Sequence, residues 1–271
     1  MKYNEASFAA RPPKTLCTCL TWLSAIDIAV GCATGYVSIY DISGLHPSSP
    51  DPWFHMPLHQ TYVLALTSAY PSFPHLLATS AVDGYLRLTD IRSPKMDSVL
   101  SNRSRIAPTT LAYSDPLFCI ISSEENDQLR AYPLRRFFSS LTFAHCPALN
   151  LVLSVGRFHP TILAACADGS LVAVNPMRRV LARREHQYQQ TIFQHEWNRS
   201  SGGISRITEG YKVETSNVTL STKKASEGSF VTVYERETAV TQACWNPNLQ
   251  CGGWMAAGMA SGLVRVEDLA I

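Results

Sequence analysis

The 271-residue chain has no run of about 18 apolar residues, and its N-terminal MKYNEASFAARPPK holds no apolar segment of signal-peptide length. Neither a membrane-spanning helix nor a secretory leader is expected, and the chain is expected to be soluble and intracellular, with no membrane partner. Strong charge of one sign is also missing. Lys and Arg number 23 against 21 Asp and Glu, a net of +2, too little to draw the whole molecule onto nucleic acid or anionic lipid. The eight cysteines (17, 19, 32, 119, 146, 166, 244 and 251) form no C-x-x-C pair, which argues against a zinc ribbon or a disulfide frame. Most of them fall inside predicted strands, where buried reduced thiols are expected. The three N-x-S/T sequons, at Asn102, Asn198 and Asn217, carry no weight in a chain that stays out of the secretory route. No G-x-S-x-G elbow and no phosphate loop of Walker or Rossmann spacing occurs. No enzyme activity, cofactor, metal or small-molecule substrate is expected.

What is present is a repeated hairpin. Asp27 to Ile42 reads DIAVGCATGYVSIYDI, with two apolar runs flanking a turn at Ala33, Thr34 and Gly35. In the second run Val37 and Ile39 alternate with Tyr36, Ser38 and Tyr40. Period-two alternation around a glycine break predicts two antiparallel strands. The pattern returns in His75–Ile91 (turn Asp83-Gly84), Leu117–Leu134 (turn Asn126-Asp127), Thr161–Asn175 (turn Asp168-Gly169) and Met255–Leu269 (turn Ser261-Gly262). A large aromatic precedes each hairpin: Trp22, Tyr70, Tyr113, Phe158 and Trp245, at spacings of 48, 43, 45 and 87 residues. A period of 40 to 50 residues with strands in every repeat points to an all-β, WD40-like β-propeller. The repeats lie near 16–42, 62–91, 109–134, 151–175 and 239–269, in a single domain covering 1–271. Polar, proline-spotted connections at 43–58, 92–108 and 135–148 are expected to carry outer strands and the crossings between blades.

The long last interval marks an irregular stretch of about 178–238, read as an insertion with short strands around Ile204–Val213 and Phe230–Tyr234; a degenerate blade is the alternative. Residues 178–230 hold nine Lys/Arg against five Asp/Glu, a net of +4, leaving 14 against 16 elsewhere. Arg178, Arg179, Arg183, Arg184, Lys223 and Lys224 are the candidate contacts to nucleic acid or an acidic partner. A solvated loop is the bland reading, and paired arginines are also a weak nuclear-import signal.

Other candidates for chemistry are weaker. His55 and His59 have i, i+4 spacing, but Pro57 between them and the missing zincin glutamate favour a loop over a metal pair. Glu124, Glu125 and Asp127 fall at a hairpin tip and read as exposed turn carboxylates. His159, before Pro160, reads as a structural hydrogen-bonder. The innermost strand segments (17–20, 65–67, 110–112, 152–155 and 241–243) are small, apolar or hydroxylated, which gives a channel enzyme no acid or base. Leu88-Thr89-Asp90-Ile91-Arg92 resembles the WDxR box of WD-repeat receptors for cullin-RING ubiquitin ligases, with Thr89 in place of tryptophan. That resemblance makes Arg92 a candidate adaptor contact and a substrate receptor the alternative function; another nuclear or chromatin scaffold also remains open.

The blades resemble degenerate WD40 repeats. The Gly-His start is absent, and Trp-Asp is replaced by Tyr40-Asp41, Thr89-Asp90 and Glu267-Asp268, so the hydrogen-bonded tetrad that braces such a blade is expected to be incomplete. Segments 239–269 (AVTQACWNPNLQCGGWMAAGMASGLVRVEDL), 11–23, 28–42 and 193–197 (FQHEW) together resemble the WD-repeat subunit of fungal transcription factor IIIC. The resemblance implies a nuclear, non-catalytic scaffold in the half of that complex that engages the B-box of genes transcribed by RNA polymerase III. Its implied partners are a second WD40 subunit and a large DNA-binding subunit, with DNA contacted indirectly. It further implies seven blades and a long charged N-terminal extension. Five legible repeats then point to an N-terminally incomplete chain and an open or imperfectly closed ring.

Overall fold

The computed structural model describes residues 15–43, 51–93, 95, 99–104, 107–124, 128–146, 150–179, 187–198, 204–210, 213–215 and 235–269. Among these, regular structure is β-strand with three single-turn 3-10 helices. The chain divides into two compact units, residues 1–122 with 132–139 and residues 123–131 with 140–271.

The first unit opens with the sheet β1 (Cys17–Trp22), β2 (Asp27–Cys32), β3 (Tyr36–Asp41) and β4 (Phe54–Pro57), hydrogen-bonded in chain order. A second meander follows: β5 (Val63–Ala69), β6 (Phe73–Ala81), β7 (Tyr85–Asp90) and β8 (Leu100–Arg103). The third sheet, β9 (Pro108–Ser114), β10 (Cys119–Glu124), β11 (Gln128–Pro133) and β12 (Leu141–His145), contributes strands to both units. Strand length and loop chemistry account for the meander. Each run of four to nine residues is stopped by a turn or connection that redirects the chain antiparallel, and in-order antiparallel pairing keeps the connections short.

Four of the hairpins turn in the same way. The amides of Gly35, Gly84, Gly169 and Gly262 donate to Cys32, Ala81, Cys166 and Met259 carbonyls, closing a turn whose last residue has φ of +77° to +90°. That conformation crowds a Cβ, which is why glycine stands there. The Asn126-Asp127 turn lies outside the described residues.

The alternation in β3 reads as one buried and one exposed face. Instead Val37, Ser38, Ile39 and Tyr40 are all buried. Leu23, Ala29, Val37, Ile39 and Phe54 cluster with Val63, Leu66 and Leu77 of the second sheet. The opposite face is covered by a polar contact, with His55 stacked on Tyr36 at 4.7 Å and its Nδ1 2.8 Å from Ser38 Oγ. Burying such aliphatic side chains is worth roughly 1.5–3 kcal/mol each. Gly31 belongs to this packing, since a Cβ there would lie 2.8 Å from both Cys19 Sγ and Val63 Cγ1.

The second unit holds a six-stranded sheet: β13 (Asn150–Val155), β14 (Ile162–Cys166), β15 (Ser170–Arg179), β16 (Gln187–Asn198) and β17 (Ile204–Glu209), with β18 (Val213–Thr215) also paired to β16. The irregular stretch therefore carries a 12-residue strand, β16, that polar composition hid. Two shorter strands lie within 204–215, and Phe230–Tyr234 lies outside the described residues. The last sheet is three-stranded: β19 (Val240–Trp245), β20 (Trp254–Met259) and β21 (Val264–Asp268). Leu163, Leu171, Phe193, Trp245, Met255 and Met259 are among the side chains of the core that joins these two sheets.

All eight cysteines are free, but the expectation of burial holds for only part of the set. Cys32, Cys119, Cys146 and Cys166 are buried, Cys19 is half-buried, and Cys17, Cys244 and Cys251 are exposed. Cys17 and Cys244 lie on strands β1 and β19, each at a position that faces solvent; Cys251 closes a 3-10 turn.

Candidate interaction surface

Three polar side chains brace the second sheet. His59, on the β4–β5 connection, is buried, with Nδ1 3.1 Å from Asp83 Oδ2 and Nε2 2.8 Å from Thr79 Oγ1. A carboxylate only accepts, so Nδ1–H donates to Asp83, and the neutral ring takes the Thr79 hydroxyl proton at Nε2. Burial holds the His59 pKa below its usual value, although the Asp83 charge pulls the other way. The ion-pair geometry alone would argue for a charged ring. With no exposed surface on its side chain, desolvation prevails, and the ring is neutral. Asp83 Oδ1 also accepts the Tyr85 amide, which fixes the β6–β7 turn. Thr89, in the place of the tryptophan of a Trp-Asp pair, is buried and its Oγ1 has no hydrogen-bond partner. The brace thus stops one member short.

His195 does comparable work in the second unit. It is fully buried on β16, donating from Nδ1 to the Thr238 carbonyl at 2.9 Å and accepting the Ser205 hydroxyl at Nε2 at 2.7 Å. One imidazole therefore ties β16 to β17 and to the 3-10 turn Arg236–Thr238 that leads into β19. The Gln194 amide reaches the Asp168 carbonyl at 2.7 Å.

Glu124 is not an exposed turn carboxylate. Its side chain is 1% exposed and lies 3.2 Å from the Arg130 guanidinium across the hairpin. Such a pair is structural, because a buried carboxylate persists only when compensated. Glu125 and Asp127 lie outside the described residues. His159 donates from Nε2 to the Gly252 carbonyl at 3.1 Å and sits edge-on to Trp245, with ring centroids 4.4 Å apart. Burial lowers its pKa, and Nδ1 has no partner. Burial likewise pushes the Cys119 thiol up to about 12, far from the thiolate a nucleophile needs. His55 and His59 face different partners, and among the described residues no group of three His, Cys, Asp or Glu could hold a metal ion.

Apolar surface is the main chemical resource at the last sheet. Trp254, Leu263, Val264 and Val266 are exposed on or beside β20 and β21, with Leu249 at 72% on the preceding turn. Clefts of about 390 and 280 Å³ flank Trp254. Phe158, His159 and Asp268 are among the residues that line the first, and Trp245, Pro247 and Val266 among those of the second. These exposed apolar side chains make the last sheet a candidate interaction surface. The signal was present in the sequence as GLVRVED, whose valines alternate with ion-paired Arg265 and Glu267, 2.8 Å apart.

The sequence-derived contacts are spread. Arg178 and Arg179 end strand β15. Arg183, Arg184, Lys223 and Lys224 lie outside the described residues. Arg92 is exposed and folds back on its own strand, with Nε 3.0 Å from Asp90 Oδ1 and a terminal nitrogen 2.6 Å from Oδ2.

No protein-family model matches the chain. Its sequence is 30% identical over 272 aligned residues to the transcription factor tau subunit sfc6 of Schizosaccharomyces pombe, an alignment covering 98% of this chain and 44% of that protein. It is 27% identical to the transcription factor tau 91 kDa subunit of Saccharomyces cerevisiae, across 94% of this chain and 37% of the relative. The chain therefore spans less than half the length of these relatives. In structure it resembles a WD40-propeller chain from the crystal structure of a mitotic checkpoint complex, with a TM-score of 0.55 at 12% identity, covering 92% of this chain and 60% of the other. At that identity the likeness establishes the fold alone: an all-β, WD40-like β-propeller.

Proposed function

We infer, from a chain homologous over nearly its whole length to fungal transcription factor tau subunits, that this propeller is a non-catalytic scaffold within transcription factor IIIC. The similarity that covers almost every residue of the chain carries the reading. In that role it supports B-box recognition and RNA polymerase III transcription in the nucleus. Its partners are a second WD40 subunit and a large DNA-binding subunit, and DNA is held indirectly. The braces at His59 and His195 and the compensated pair Glu124–Arg130 favour this reading, because each polar cluster is consumed in holding strands together. The apolar surface around Trp254 supplies area for a protein partner. Arg178, Arg179, Arg183, Arg184, Lys223 and Lys224 form the basic stretch that faces an acidic partner or nucleic-acid phosphates.

The test is a tagged pull-down of the full-length protein from nuclear extract, with bound proteins identified by mass spectrometry. Recovery of the other transcription factor IIIC subunits is the expected result. Recovery of a cullin-RING adaptor, abolished by Arg92→Ala, overturns it. Charge-neutralising changes at the six basic positions should weaken the salt-sensitive association with an acidic partner subunit; loss of B-box DNA retention with the subunit set intact would instead show direct contact with DNA phosphates.

A further inference from the structure

We propose that Cys17 and Cys32 are a redox-sensitive pair that closes to a cross-strand disulfide. They are direct partners in the antiparallel pairing of β1 with β2. The Ala33 amide donates to the Leu16 carbonyl at 2.9 Å, a bond between the residues one step beyond each cysteine. That pattern makes Cys17 and Cys32 a non-hydrogen-bonded pair, in which the Cα atoms stand about 4.5 Å apart and the side chains lean together. The separation falls within the range that a disulfide spans.

Their environments divide the roles. Cys17 is exposed and meets an oxidant first; Cys32 is fully buried and acts as the resolving thiol. Cys19, the other thiol nearby, is drawn toward β5, with Sγ 3.8 Å from the Val63 carbonyl, and its cross-strand partner is Gly31. The bulge between Cys17 and Cys19 is what takes the two out of strict alternation. With a peroxide as oxidant, the Cys17 thiolate displaces one peroxide oxygen, giving a sulfenic acid and water. Cys32 sulfur then attacks the Cys17 sulfur and expels the second water. Two thiols lose two electrons and two protons, and one hydrogen peroxide is reduced to two waters. A dithiol reductant reverses the step. Burial and the neighbouring Cys32 raise the Cys17 pKa, so the pair answers slowly near neutrality and faster as pH rises.

The experiment treats the full-length protein with hydrogen peroxide, alkylates the remaining thiols and cleaves before Asp27, which separates Cys17 and Cys19 from Cys32. The expected product is a linked peptide pair about 2 Da lighter than its reduced parts, lost on adding dithiothreitol. The link should persist in Cys19→Ser and vanish in Cys17→Ser. Tandem fragmentation of the wild-type pair gives the same assignment should a variant fail to fold. Full alkylation of both peptides after oxidation, a Cys17–Cys19 link, or Cys17 driven to sulfonic acid with Cys32 untouched would each overturn the proposal.

Discussion

The His59 imidazole donates to Asp83 from one nitrogen and accepts from Thr79 at the other, joining the entry of the second sheet to its central hairpin. Removing the ring strands a partly buried carboxylate and a buried hydroxyl together. His59→Ala is expected to lower unfolding stability by about 1–3 kcal/mol, read as a lower urea midpoint. Paired with Thr79→Val, the double variant should cost less than the two single changes summed, because both act on one ring.

The same histidine sets a pH response. Its folded pKa lies below the unfolded value of about 6.5, so the unfolded chain binds the proton more readily. The stability contribution is full above that value and is lost as pH falls below it toward the folded pKa. His159, also depressed by burial, adds in the same direction. Urea midpoints should therefore drop as pH falls below about 6.5, and His59→Gln should make that drop shallower.

Arg130→Met should be among the most damaging single changes, about 3–5 kcal/mol, since it removes the guanidinium that compensates an almost wholly buried carboxylate. Replacing Glu124 and Arg130 together by methionines should recover most of that loss. A double variant as unstable as Arg130→Met alone would show that the ion pair is not the source.

Two glycines with nearly equal φ should respond differently to alanine. At Gly262 a Cβ meets nothing within 4 Å, so the left-handed backbone alone is penalised, roughly 1–2 kcal/mol. At Gly35 the added carbon also collides with the His59 carbonyl oxygen. Gly35→Ala should thus be clearly worse than Gly262→Ala in thermal melts, and equal effects would remove the steric part of the argument.

The hairpins were legible because glycine turns and period-two apolar runs report local geometry, and local geometry is what a sequence displays. β16 was not. Among its described side chains QYQQTIFQHEWN offers only Ile192 and Phe193 as buried apolar groups, and the buried Gln189 and His195 look hydrophilic until the His145 carbonyl is placed beside the first and Ser205 and Thr238 beside the second. Glu124 misled for a related reason. Its compensating arginine sits across a turn, and burial is decided by what packs over the hairpin. The His59 brace left a faint trace, a histidine before a strand and an aspartate in the following turn, which the missing Gly-His start obscured. The basic stretch could be counted but not placed.

The His195 knot also changes how the basic stretch can be dissected. Excising 178–230 to ask whether it holds DNA would take away β16, and with it the imidazole that seats the 3-10 turn before β19. A shortened protein would then fail every binding assay alike, by collapse of its C-terminal sheets, and the failure would be misread as loss of affinity. What looks in the sequence like a trimmable appendage contains, in β16, a keystone: charges around it can be exchanged, but that strand must stay.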